Sequence, residues 1–150
     1  MRTLLLELRP SRLTEVPLPD LLRQLTEAVS GRARVPIKLE VSGEAALNSE
    51  VQVSLYRIAQ EALNNVAKHA QANQATVKLT LRSNRAELSI KDNGRGFSMK
   101  GVSPNSLGLS IMRERAELIG AKLQIKSAVD NGTHILVIWR QGKKDKRNET

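Results

Sequence analysis

Cysteine is absent from the 150-residue sequence, and tryptophan, tyrosine and phenylalanine occur once each. Without cysteine the chain has neither a disulfide framework nor a zinc–cysteine site, so any bound metal must be held by oxygen ligands. The core must be built from leucine, isoleucine, valine and alanine. The scarcity of aromatic rings also leaves little for single-strand nucleic-acid binding, which stacks bases on such rings.

Long apolar runs are missing too, since none approaches the roughly 20 residues that span a membrane. The N-terminal segment carries Arg2, Glu7 and Arg9, which spoils a signal-peptide pattern. The sequence therefore predicts one soluble, cytoplasmic domain that makes no membrane contact of its own.

Positive charge exceeds negative charge, with 24 Lys and Arg against 15 Asp and Glu and a net charge of +9. Part of the excess lies in the polar run "RQGKKDKRNE" at residues 140–149, which is typical of a solvated tail. The excess of positive charge over the whole chain indicates an anionic partner. Because aromatic residues are so few, a nucleotide is favoured over nucleic acid.

Apolar periodicity predicts the order of helices and strands. A short leucine-rich helix over residues 1–8 and a proline-containing connector come first. The remaining predicted elements are helix 20–30, strand 35–43, long helix 49–70, strands 75–81 and 86–91, loop 98–107, helix 111–119, and strands 122–127 and 134–139. Antiparallel strands mixed with three helices predict an α+β fold, a two-layer sandwich with the helices on one face of the sheet.

The long helix carries a polar stripe beside its apolar face. Glu61, Asn65 and Lys68 follow one another at helical spacing, and all three can face one cleft. The amide oxygen of Asn65 suits Mg²⁺, and Lys68 suits a phosphate as a point charge. Boundary polar residues with a Glu–Lys helical pair explain the same stripe without any function.

A second polar motif, "DNGRGF" at residues 92–97, follows a predicted strand. It is either a tight turn or part of a nucleotide site. The segment "SLGLSIMRER" opens a helix, whose free N–H groups are suited to phosphate. The patterns of a P-loop and of a dinucleotide fingerprint are both missing, so another phosphate-binding scheme is required.

Four ordered motifs together resemble those of a known family. "QEALNNVAKHA", "DNGRGF", "SLGLSIMRERAELIGA" and "NGTHILV" are similar to the N box, the two glycine boxes and the terminal Gly-Thr motif of GHKL ATP-binding domains. More narrowly, they resemble the catalytic domain of sensor histidine kinases of the nitrate and lipid-fluidity sensing subfamily. The resemblance implies the Bergerat fold, with a mixed, mostly antiparallel sheet, and it implies ATP and Mg²⁺ as ligands.

The resemblance also implies roles for individual residues. Asp92 would accept a hydrogen bond from the adenine amino group, with Thr133 supporting the base. Asn65 would ligate Mg²⁺, and Glu61 would orient metal or assist the acceptor histidine. The catalytic candidates are Glu61, Asn65 and Lys68, and the nucleotide-binding candidates are Asn65, Lys68, His69, Asp92, Gly94, Gly96, Phe97, Leu107, Gly108, Leu109 and Thr133.

Each of these residues also has a simpler structural explanation. Asp92 can cap a turn, His69 can be a surface residue, and Thr133 can favour a strand start. The arginines at 113 and 115 and the histidine at 134 fit solvated surface positions at least as well as a site.

The sequence departs from the family pattern in two places. Asn105 and Ser106 stand where many relatives have a further glycine before the second glycine box. Neither His69 nor His134 lies in the sequence context of a phosphoacceptor. Residues 1–10 would be the end of a dimerisation and phosphoacceptor helix, followed by a linker at 11–19, a catalytic domain at 20–140 and a disordered basic tail at 141–150.

The expected function is transfer of the ATP γ-phosphoryl group to a histidine on a separate helical hairpin, absent here, for relay to a LuxR/NarL-type response regulator. The isolated chain would be monomeric and unable to complete autophosphorylation unaided, whereas the full-length protein would form a homodimer. The alternatives are a GHKL-type ATPase or an anti-sigma serine kinase, a degenerate nucleotide sensor and a basic nucleic-acid-binding module.

Overall fold

A computed structural model describes residues 10–98 and 108–142, which form helices packed on a five-stranded sheet. The helices and strands are α1 (Pro10–Glu15), α2 (Leu18–Ala33), β1 (Ile37–Ser42), α3 (Ser49–Asn65), a π-helical turn (Val66–Ala70), β2 (Ala75–Arg82), β3 (Arg85–Asp92), α4 (Leu109–Leu118), β4 (Lys122–Ser127) and β5 (Thr133–Arg140). Within these residues no helix is both long and apolar enough to cross a membrane.

The sheet has the strand order β1-β2-β3-β5-β4. β1 runs parallel to β2, and the other neighbouring strands pair antiparallel. Side chains alternate along β2, β3 and β5, so one face is buried under the helices and the other is polar and more accessible. The α+β prediction, with a mixed and mostly antiparallel sheet, is confirmed.

The apolar stripe predicted on the long helix forms the centre of the core. Leu55, Ile58 and Ala59 on α3 are fully buried, and they belong to one hydrophobic cluster with Leu88 on β3 and Val137 on β5. These contacts clamp α3 across the middle strands of the sheet. The polar residues at the C-terminal end of α3 are thereby held above the ends of β3 and β5.

The predicted connector at residues 11–19 is corrected by the structure, which places α1 and the start of α2 there. Leu13 and Leu18 are buried in the core, and the Gln52 side-chain amide donates to the carbonyl oxygens of Leu13 at 2.8 Å and Val16 at 2.7 Å. Proline at the first turn of a helix costs no hydrogen bond, so the prolines start α2 and do not interrupt it.

Other boundaries also differ from those predicted. α2 continues past Gly31 to Ala33, and Arg34 supplies the left-handed residue that ends it. The predicted helix at residues 49–70 changes to a π-helical turn after Asn65. α4 begins at Leu109 and not at residue 111, and Gly108 precedes it in the left-handed conformation. Tertiary packing, which periodicity does not report, decides these ends.

Candidate functional site

A cavity of about 110 Å³ lies between the C-terminal end of α3 and the buried face of the sheet. Most of its wall is apolar, and a few polar groups converge on it, which is the usual character of a small-molecule site. The lining residues are Ala62, Asn65, Ile90, Asp92, Arg95, Gly96, Phe97, Leu109, Thr133 and Ile135.

Asp92 is the buried acid of this cavity. It is the last residue of β3, pairs with Thr133 on β5, and is 8% exposed. Burial raises the pKa of the Asp92 carboxyl group, while hydrogen bonds from the backbone N–H groups of Gly94 and Thr133 partly offset the rise. The Gly94 N–H donates to Oδ1 at 2.8 Å. A carboxylate held this way presents acceptor oxygens to the cavity and no donor.

The loop after β3 is held by side chains that sequence reasoning missed. The Ser127 hydroxyl accepts from the Phe97 N–H at 2.9 Å, lies 2.8 Å from the Thr133 hydroxyl, and donates to the Gly132 carbonyl at 3.2 Å. Ser127 thus ties the "DNGRGF" loop to the start of β5. Because this contact joins segments 30 positions apart, no local motif could have predicted it.

Two glycines of the predicted site occupy positions where a side chain would not fit. Gly96 has a φ of +61°, and a Cβ atom there would clash with the carbonyl oxygens of Ala128 and Gly132. Gly108 has a φ of +67°, and a Cβ atom there would clash with the Glu61 carboxylate. Glu61 therefore lies against the N-terminus of α4, beside the cavity and not among its lining residues.

The structure brings together most of the predicted site residues. Asn65, Asp92, Gly96, Phe97, Leu109 and Thr133 line the cavity, and Gly94 contributes its N–H. Lys68 is exposed and does not line the cavity. The His69 side chain and Leu107 lie outside the described residues. The nucleotide and catalytic roles of all these residues stay predictions.

The cavity also has lining residues that the sequence did not single out. Arg95 lies within "DNGRGF" itself, so the motif contained a signal for it. Ala62, Ile90 and Ile135 belong to the regular apolar pattern of α3, β3 and β5, where a cavity wall cannot be told from core. The arginines at 113 and 115 do not line the cavity, and His134 lies on the polar face of the sheet.

Replacement of Ser127 by alanine should weaken binding of an ATP analogue about fivefold to tenfold, because the loop carrying Gly96 and Phe97 loses its anchor. A neutral hydrogen bond contributes about 1 kcal/mol, which sets the size of the effect. Calorimetric titration measures it. Ser127→Thr keeps the hydroxyl group and should restore most of the affinity, whereas a threonine variant as weak as the alanine variant would contradict the anchoring role.

The chain matches a family of known ATPases. Residues 50–143 match the family described as "Histidine kinase-, DNA gyrase B-, and HSP90-like ATPase". Because the match covers more than half of the sequence, the chain belongs to this family. The GHKL assignment made from the four motifs is confirmed.

Within this family the chain is similar to sensor histidine kinases. It is 37% identical over 137 residues to the sensor histidine kinase LiaS of Bacillus subtilis (strain 168), a match that covers 91% of this chain and 38% of LiaS. It is 37% identical over 146 residues to the sensor protein VraS of Staphylococcus saprophyticus, covering 97% of this chain and 42% of VraS. The chain thus spans about two fifths of the length of these relatives.

A solved structure agrees with this placement at the level of fold. The histidine kinase domain of the Erythrobacter litoralis EL346 blue-light activated histidine kinase superposes with a TM-score of 0.70 at 21% identity, over 89% of this chain and 65% of that one. Sequence relatives and fold together confirm the prediction of a histidine kinase ATP-binding catalytic domain. The narrower LuxR/NarL-partnered branch stays a prediction.

Proposed function

We propose that the cavity beside Asp92 binds ATP with Mg²⁺, and that the domain transfers the γ-phosphoryl group to a histidine on a separate helical hairpin of a two-component sensor kinase. One observation carries the proposal: the buried carboxylate of Asp92 and the side chain of Asn65 line the same apolar cavity. The whole protein's stimulus and response regulator lie beyond the chain itself, and a LuxR/NarL-type regulator in the cytoplasm is the partner we propose.

The size and chemistry of the cavity suit an adenine base. About 110 Å³ is well below the roughly 300–1,000 Å³ of sites that enclose a drug-sized ligand. A planar base would therefore fill the cavity, and the sugar and phosphates would lie outside it, along α3. Ile90, Ile135 and Leu109 offer apolar contact to the base, and Asp92 accepts from its amino group.

The residues present also fit a phosphate-bound Mg²⁺ ion. Asn65 offers one hard oxygen ligand, and the described part of the chain has no cluster of three acidic or histidine side chains that could hold a metal alone. Mg²⁺ normally takes most of its ligands from phosphates and water, so one protein ligand is sufficient. When bound, the ion neutralises charge on the phosphates.

The protein groups around the phosphates would then position the reacting atoms. Lys68 is exposed one turn beyond Asn65 and can reach a phosphate oxygen as a mobile point charge. Glu61, held against Gly108, can orient the acceptor histidine or the metal's water ligands. Transfer forms a bond from a histidine nitrogen to the γ-phosphorus and breaks the bond from that phosphorus to the β–γ bridging oxygen.

Replacement of Asn65 by alanine should raise the Kd of an ATP analogue about tenfold in the presence of Mg²⁺ and less than about twofold in its absence, as expected for a lost interaction of about 1.4 kcal/mol. Calorimetry with and without Mg²⁺ measures both values. Asn64→Ala is the matched control, since Asn64 is the neighbouring asparagine of α3 and does not line the cavity. Equal losses with and without the ion would refute the metal role.

The transfer itself is tested by mixing the chain with a separately produced acceptor hairpin, ATP and Mg²⁺. Phosphohistidine on the hairpin supports the proposed kinase. Phosphate release without the hairpin would indicate an ATPase, and phosphoserine on a protein substrate would indicate a serine kinase. Either of these two products, formed without phosphohistidine, would refute the proposed histidine kinase activity.

A further inference from the structure

The polar face of the sheet, opposite the helices, carries a row of polar side chains, three of which are lysines. Lys38 on β1, Thr76 on β2, Lys91 on β3, His134 on β5 and Lys126 on β4 are direct neighbours in the strand register. Neighbouring strands lie about 4.8 Å apart, so the row extends about 19 Å across the sheet. Lysine occupies every second strand of this row.

A groove of about 730 Å³ covers the β1, β2, β3 and β5 part of this row, and we call it the lysine groove. Lys126 lies next to it and lines a neighbouring pocket that shares Lys91, Asp92 and His134 with the groove. Thr76, Ser89 and His134 contribute to the floor of the groove, and Ser89 Oγ lies 2.8 Å from His134 Nε2. Pro36 and Ile37 contribute an apolar end at β1. The lysine groove opens on the opposite face of the sheet from the cavity, and Asp92, at the end of β3, borders both.

Positive charge in the lysine groove is only partly balanced. Glu40 forms ion pairs with Lys38 at 3.1 Å and Lys78 at 3.7 Å. Asp92 also borders the groove, but its carboxylate is bonded to the Gly94 N–H on the helix-covered side. Among the described side chains, Lys91 and Lys126 form no salt bridge, and both are exposed beside His134. Two cations therefore remain available to an anionic ligand.

We infer that the lysine groove binds a carboxylate-rich segment of a partner protein. Lys91 and Lys126 would pair with two carboxylates of that segment, and Lys38 and Lys78 would complete the positive surface. An extended chain of about six residues spans the 19 Å row, at about 3.3 Å per residue.

Nucleic acid fits the same groove less well than an acidic protein segment. None of its described lining residues is phenylalanine, tyrosine or tryptophan, and the ring of His134 is hydrogen-bonded to Ser89, so unpaired bases find little on which to stack. None is arginine, the side chain best suited to bidentate phosphate contacts. The apolar residues at the β1 end instead suit an aliphatic side chain next to the carboxylates.

His134 makes the inferred binding sensitive to pH. Burial lowers the pKa of His134, and the neighbouring charges of Lys91, Lys126 and Lys78 lower it further. The two carboxylates that border the groove are already engaged, Glu40 with Lys38 and Lys78 and Asp92 with the Gly94 N–H. Bound carboxylates would cancel part of this positive field and raise the pKa again. The complex would then take up a proton as the pH falls through the ordinary histidine range, so acidic peptides bind more tightly at lower pH.

The test uses a fluorescein-labelled peptide of alternating glutamate and serine, titrated with the whole chain at low salt and followed by anisotropy. The variant Lys91→Gln/Lys126→Gln should bind about tenfold more weakly, since each exposed pair contributes about a threefold factor. The control Lys122→Gln/Arg140→Gln removes the same charge from exposed positions of β4 and β5 that lie outside the groove lining, and should lose less than about twofold.

Retained ATP-analogue binding in both double variants shows that they are folded. Equal losses in the two would mean that net charge alone attracts the peptide, which overturns the inference. If a thymidine oligonucleotide binds more tightly than the peptide and loses affinity in the groove variant, the groove is a nucleic-acid site and the inference is wrong.

The pH dependence tests the part of His134. The affinity of the wild type for the peptide should rise roughly threefold from about pH 7.5 to about pH 5.5, and the affinity of His134→Gln should stay nearly constant. A wild-type affinity that does not change with pH would show that His134 takes no part in binding.

Discussion

Replacement of Asp92 by asparagine should weaken binding of an ATP analogue about 100-fold. The carboxylate accepts from the backbone N–H groups of Gly94 and Thr133 and has acceptor capacity left for the adenine amino group. Asparagine exchanges one of those oxygens for an NH₂ donor, which must face either a backbone N–H or the adenine amino group. Loss of a hydrogen bond to a charged group, worth about 1.5–3 kcal/mol, gives an effect of this size.

The same substitution should not destabilise the fold at neutral pH. Because burial raises the Asp92 pKa above its ordinary value of 3.8, the folded state holds this proton more tightly than the unfolded state. The resulting loss of stability grows as pH rises through 3.8 and is complete above the raised folded pKa. Asparagine has no such penalty, so the Tm of Asp92→Asn should equal or exceed that of the wild type at pH 7.

Asp20→Asn is the matched control, since Asp20 lies exposed in the first turn of α2, far from the cavity lining. It should change the affinity for the analogue less than about twofold, because it removes the same charge from a solvent-screened position. Unchanged analogue binding in Asp92→Asn would overturn the assignment of the adenine site.

Replacement of Gly96 by alanine should lower the free energy of unfolding by about 2–4 kcal/mol and abolish measurable analogue binding. The positive φ at this position destabilises alanine by about 1 kcal/mol. The new Cβ atom would also clash with the carbonyl oxygens of Ala128 and Gly132, so the backbone of those residues would have to shift at a further cost in stability. That backbone is fixed by the Phe97–Ser127 hydrogen bond. Urea unfolding followed by circular dichroism measures the first effect, and calorimetry measures the second.

Gly31→Ala is a control variant that should change the free energy of unfolding in the opposite direction. Gly31 lies inside α2, and a Cβ atom there would meet nothing within 4 Å. Alanine is the better helix former by about 1 kcal/mol, so this variant should be more stable than the wild type and bind the analogue equally well. If both glycine variants changed stability in the same direction, the backbone account of Gly96 would be wrong.

Local patterns in the sequence were sufficient to place most elements and the central residues of the site. The β3–β5 region shows why: alternation along "RAELSIKD" and "THILVIWR" identifies the inward side chains, and the glycines mark the turns that follow. Asn65 and Asp92 were recognised from motifs on two different elements. The structure does bring both to one cavity.

Periodicity could not locate features that depend on contacts distant in the chain. α1 is held by the core burial of Leu13 and by the Gln52 side chain, 39 positions along the chain from Leu13. The change from α-helix to π-helical turn after Asn65 has no sequence signal that we can identify. Strand pairing alone places Lys91, His134 and Lys126 in one row.

The sequence by itself determined the family, the alternation that divides the sheet into an apolar and a polar face, and the motif residues at the strand and helix ends. Only the tertiary structure decided that Ser127 anchors the loop, that Glu61 lies against Gly108, and that lysines of β1, β2 and β3 share one groove. The physical reason is the distance along the chain between the residues involved. Side-chain periodicity is a property of neighbouring residues, whereas strand register and loop anchoring depend on hydrogen bonds between segments that are distant in the chain.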